Sequence, residues 1–247
     1  MTDSYRALCN DSYVNMKVQT KMELPRSRET VLELFERVRR QFPHMNSFRR
    51  YRDELALESP QSEQPHRWLA IRNNTLRTGS VNAPSQVEAY GIHEHIIEVA
   101  PPYLSLSPLD IDFVELLYGF DLRAGGNHDA IVLDALIPGS PLAALLEIPG
   151  AVPSDCQPII GMTFGNRGDT ELYFEVKTRA AGNSHRDAAG DPISVYLTLR
   201  KSGPFTELKE LYATFQRLAR LGEELVERRV VPGLIVPIRQ AIASGNV

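Results

Sequence analysis

Cysteine is scarce in this chain. Of 247 residues only Cys9 and Cys156 are cysteine, far apart and in no CxxC pair, which excludes a thiolate zinc site and a disulfide framework. Long apolar runs are missing too, and none approaches the roughly 18 residues that a membrane span requires. The opening MTDSYRALCNDSY has an early Asp and no apolar stretch, so it does not read as a secretory signal. A cytoplasmic protein without membrane contact is the expectation. Lysine is rare as well: Lys17, Lys21, Lys177, Lys201 and Lys209 are the five, and the other 22 basic residues are arginine. The net charge of −4 argues against a general polyanion binder. No GxGxxG, GxxxxGK[ST] or GxSxG occurs, so neither a nucleotide loop nor a nucleophile elbow is present and no cofactor is implied.

What is present is periodicity. Hydrophobic content of 43% and charged content of 23% suit a globular chain. SYVNMKVQTKMEL (12–24) alternates apolar Val14, Met16, Val18, Met22 and Leu24 with polar neighbours, the mark of a half-buried strand. Ser27 is placed to cap a helix on which Val31, Leu34, Phe35, Val38 and Phe42 recur at helical spacing until Pro43. Short strands at 54–59, 67–72 and 75–81 follow, the last two joined at Asn73-Asn74. Ser85 and Glu88 then have capping-box spacing for a helix that ends at Ala100-Pro101-Pro102.

The order restarts with a strand at 111–122, a helix from Asn127 to about Leu146, a hairpin of 158–164 and 170–178, a strand at 192–200 and a helix over 205–229. This predicts an α+β protein of two similar β-α-β-β-β-α halves, 1–105 and 106–247, sharing a curved antiparallel sheet with helices on one face. At the level of element order it is similar to the TATA-binding-protein saddle and to helix-grip folds. Such a resemblance implies a fold and not a function.

Residues 90–100, YGIHEHIIEVA, hold the densest set of candidate ligands: His93, His95, Glu94 and Glu98. On a helix, at about 100° per residue, Ala89, Ile92, Ile96, Val99 and Ala100 share one side. His95 and Glu98 fall opposite, and His93 lies at the edge of the apolar side. The two imidazoles then diverge, because a helical pair of His ligands needs i, i+4 spacing. On a strand they would share a face as a His-x-His metal site. The cap and the apolar clustering predict the helix, with His93, His95 and Glu98 as the metal alternative.

Five other stretches stand out. Gly125, Gly126, Asn127 and His128 form a turn into a helix whose start could hold an anion, with Asn127 alternatively capping it. A helix start disfavours charge on His128, which suits a neutral acid/base. RVRRQFPHMNSFRRYR sets Arg37, Arg39, Arg40, Arg49, Arg50 and Arg52 around Phe42, Phe48 and Tyr51, a composition used against phosphates and bases. Ser184, His185, Arg186 and Asp187 are adjacent, and adjacent residues cannot form a triad. In the last helix Gly222 fills a missing apolar position and permits close approach of another element. The tail VVPGLIVPI (230–238) is too apolar to stay in water and must dock on its own domain or on a partner subunit.

The leading expectation is therefore a binding or assembly module without catalysis, self-associating through its C-terminal segment. A phosphate or nucleic-acid binder using Arg37–Arg52 comes second. A hydrolase or lyase using His93, His95, His128 and carboxylates in a cleft between the halves comes third.

Overall fold

The computed structural model describes residues 7–146, 148–165, 168–178 and 191–244. The loop around Ser184–Asp187 and the hairpin tip at Asn166-Arg167 lie outside the described residues. Nine strands form one antiparallel sheet. β1 (Asp11–Thr20), β2 (Ser47–Arg50), β3 (Glu54–Glu58), β4 (His66–Arg72) and β5 (Thr75–Val81) precede β6 (Ile111–Arg123), β7 (Ile159–Phe164), β8 (Thr170–Lys177) and β9 (Pro192–Ser202). Their order across the sheet is β2-β3-β4-β5-β1-β6-β9-β8-β7. The helices are α1 (Arg28–Gln41), α2 (Gln86–Leu104), α3 (His128–Leu136), α4 (Lys209–Leu225) and α5 (Val236–Ser244), with a 3-10 turn at Pro141–Leu146 and a π-type stretch at Val226–Ile235.

Alternation decides which side of the sheet is covered. Val14, Met16 and Val18 of β1 are buried, as are Val114 and Leu116 of β6 and Val195, Leu197 and Leu199 of β9. α2 packs over β1 and β5, and α4 over β6 and β9. α1 packs on α2, and Phe35 meets Phe48 of β2 edge to face. In α4, Leu211, Phe215 and Leu218 face inward, and Gly222 lies against the Tyr118 ring, where any Cβ would come under 3.0 Å. The Tyr118 hydroxyl bonds that of Tyr90 and donates to the Ala219 carbonyl, tying β6 to α2 and α4.

Several boundaries differ from the sequence reading, each for a local reason. β1 stops at Thr20, where its register with β6 shifts, and Met22 is exposed. Arg49 and Arg50 belong to an edge strand rather than a loop. α2 runs through Pro101 and Pro102 to Leu104, with both prolines near its C-terminal end, and the Pro101 carbonyl accepts the Ser105 and Leu106 N–H groups. The helix from His128 ends at Leu136 because Pro138 and Gly139 (φ +79°) follow, so it does not reach Leu146. The helix expected over 205–229 starts at Lys209, and the chain stays helical through Pro232 and Pro237 to Ser244. Val230, Ile235 and Ile238 are fully buried within the chain, and α5 packs on α3.

Candidate functional site

The residues singled out from the sequence do not gather in one place. His93 and His95 lie on α2, as the cap at Ser85 predicts. His93 points into the core, with Nδ1 2.6 Å from the Thr78 hydroxyl and Phe215 beside its ring. Burial drives its pKa down to about 3 against a smaller upward contribution from the Val14 backbone, so it is neutral. His95 faces the other way, edge-on to Phe42, in an open groove of about 740 Å³ between α2 and α4 with Glu94, Glu98 and Lys209. Burial, then the Arg37 charge, lowers its pKa, with Glu98 opposing. Among the described residues no three His, Cys, Asp or Glu side chains are close enough together to hold a metal.

At the start of α3 the Asn127 side chain accepts the N–H groups of Asp129 and Ala130 and donates to the Pro153 carbonyl. Two of the amides that an anion would use are thus already occupied. Gly126 makes the turn with φ +79°, while a Cβ at Gly125 would meet nothing. His128 is buried and donates through Nε2 to the Ala124 carbonyl. The arginines are exposed but divided: Arg37, Arg39 and Arg40 project from α1, and Arg39 is paired to Glu36. Arg49 and Arg50 alternate to opposite faces of β2, and Arg52 lies in the turn beyond.

The sheet face away from the helices carries a denser array. From the pairing registers it presents Tyr13, Asn15, Lys17 and Gln19 of β1, Trp68 and Arg72 of β4, Arg77 of β5, Phe113, Glu115 and Leu117 of β6, Tyr196 and Arg200 of β9 and Tyr173 of β8. Three strand glycines explain its shape. Gly79 stands directly opposite Trp68, Gly119 opposite Tyr13 and Gly161 opposite Tyr173, and each ring lies where a Cβ would be. The rings therefore lie flat on the sheet instead of standing off it. Cations rest on aromatic faces: Lys17 and Arg200 are 4.9 and 4.4 Å from the Phe113 centroid, and Arg77 is 5.4 Å from that of Trp68.

Carboxylates balance most of this charge. Arg200 bonds Glu115 at 2.6 Å and Glu171 at 3.3 Å, and Arg77 reaches Glu54 at 3.3 Å. Burial opposes the Arg200 charge, but Glu115, with Glu171 behind it, outweighs this and raises its pKa. Tyr13 is held protonated by burial first, then by Tyr196 and the Asp121 charge. Above the β1–β6 seam lies a depression of about 410 Å³ lined by Asn15, Lys17, Arg72–Thr75, Arg77, Glu115 and Leu117. Lys17 and Arg72 have no carboxylate partner among the described residues, and Asn15 Oδ1, shielded from solvent, has no hydrogen-bond partner. This volume falls in the range of small-molecule sites.

The sequence reading passed over this face because its residues come from six strands and meet only through register. A signal did exist: glycine within an alternating strand pattern marks close approach by another group. Compared with protein-family profiles, with curated proteins and with solved structures, the chain matches none. No described helix is long and apolar enough to cross a membrane.

Proposed function

We propose that this protein is a non-catalytic binding module whose open sheet face takes a small anionic ligand in the depression over β5, β1 and β6. The observation that carries the reading is the pairing of an uncovered sheet face with a depression of about 410 Å³ bearing Lys17, Arg72 and Arg77 around the Asn15 amide. Of the three cations there, Arg77 is shared with Glu54, whereas Lys17 and Arg72 have no carboxylate partner among the described residues; the one carboxylate of the lining, Glu115, is already engaged by Arg200. The leftover charge suits a carboxylate or phosphate group, and Leu117 offers an apolar contact beside it. The strand order supports the doubled reading of the fold. Outward from the centre run β1, β5, β4, β3 on one side and β6, β9, β8, β7 on the other.

Trp68, the single tryptophan, touches Arg77 and reports on this face. Titration with inorganic phosphate, citrate and an acidic tripeptide is expected to give a saturable change in its emission with at least one of them. Arg77→Gln should weaken that binding about 10–100-fold, the worth of a charged hydrogen bond. No saturable change with any of the three would reject the reading.

A further inference from the structure

The two edges of the sheet differ in kind. β2 is four residues long and carries Arg49 and Arg50, and charge on an edge strand opposes pairing with another chain. β7 reads IIGMTF, with no charge and no proline, and all six of its residues are exposed. Among the described residues it pairs only with β8, so its outer row of N–H and C=O groups is open. Ile160, Met162 and Phe164 point to the helix side at 58, 47 and 38% exposure. The nearest helix there, α4, stands across an open groove of about 470 Å³. Of the 14 large apolar side chains exposed among the described residues, seven lie between Leu142 and Phe164. An uncharged, apolar, unprotected edge of this kind is a pairing site.

We propose that β7 pairs with β7 of a second copy of this chain, antiparallel and about a two-fold axis, so that one sheet continues into the other. The alternatives are worse on charge and closure. Joining β2 to its own copy would put four arginines along one short junction, opposing like charges. Joining β2 to β7 would desolvate Arg49 and Arg50 against isoleucine and methionine, and would leave free edges that propagate an open chain. β7 against itself meets neither problem and closes at two. Directly opposed residues share a face, so the axis passes through a residue, and placed at Met162 it sets Ile160 against the partner's Phe164, apolar against apolar. The covered row then continues into Leu172 and Phe174 of β8. A six-residue edge gives much less than the roughly 800 Å² per partner of a standard interface, so the dimer is weak and reversible. It uses no residue of the depression around Arg77, and the two proposals stand or fall separately.

Analytical ultracentrifugation of the full chain, from low micromolar to near millimolar, tests this. The weight-average mass should rise from 27.7 kDa toward twice that value and stop there. Met162→Lys should weaken association at least tenfold, while Leu109→Lys, at an exposed apolar residue elsewhere, should leave it intact. In a Cys9→Ser, Cys156→Ser background, Met162→Cys should form a disulfide-linked dimer at least tenfold faster than Val87→Cys. That measurement decides the matter if Met162→Lys lowers the melting temperature. A chain monomeric throughout, growth beyond the dimer, or a dimer indifferent to both Met162 variants would overturn the proposal.

Discussion

His93 is enclosed by the Thr78 hydroxyl, the Phe215 ring and the Val14 backbone, with no charged partner. Its folded pKa of about 3 lies below the ordinary 6.5. Between those values the unfolded chain binds a proton that the folded chain refuses. Its contribution is complete above pH 6.5 and is lost as pH falls toward 3, at no more than about 1.4 kcal/mol per pH unit. Urea midpoints at pH 7 and pH 5 should show the drop, and His93→Phe should flatten it; an unchanged slope in that variant removes His93 as the source. The glycines offer a second comparison. Gly79→Ala must push Trp68 off the sheet, a crowding that costs about 1–3 kcal/mol. Gly91→Ala places a methyl group in open space on α2 and should stabilise by about 0.5–1 kcal/mol. Thermal unfolding of the two variants should therefore shift in opposite directions, and shifts of the same sign would contradict this packing account.

Among the elements, α3 is the one whose setting was least legible. Its cap at Asn127 is readable from residue type, but Pro138 and Gly139 cut the helix where apolar residues continue to Leu146. What holds the following segment could not be read at all. The Asp129 carboxylate, buried near the start of α3, accepts the Cys156 N–H at 3.0 Å and the Thr178 hydroxyl, bonds spanning 27 and 49 residues. Asp129→Ala should strand both donors and cost about 1–3 kcal/mol in chemical denaturation; a loss under about 0.5 kcal/mol would mean that water replaces the carboxylate there. β1, by contrast, was legible almost residue by residue, because Val14, Met16 and Val18 alternate with polar neighbours and one face is buried. The divergence of His93 and His95 followed from helical geometry alone. The open face was not legible, since no local pattern says which glycine will lie opposite which aromatic ring.

On the scale of the whole molecule, the segments 1–105 and 106–247 are joined by main-chain pairing instead of facing each other across a cleft. All ten residues of β1, Asp11 to Thr20, are laddered to β6. Parting them would break a central ladder, so the two segments do not open and shut like jaws, and a ligand of the proposed kind would meet a plate that is already formed. Stopped-flow records of Trp68 emission should then follow a single exponential whose rate climbs in proportion to ligand concentration. A rate that levels off would mean that some rearrangement has to come first.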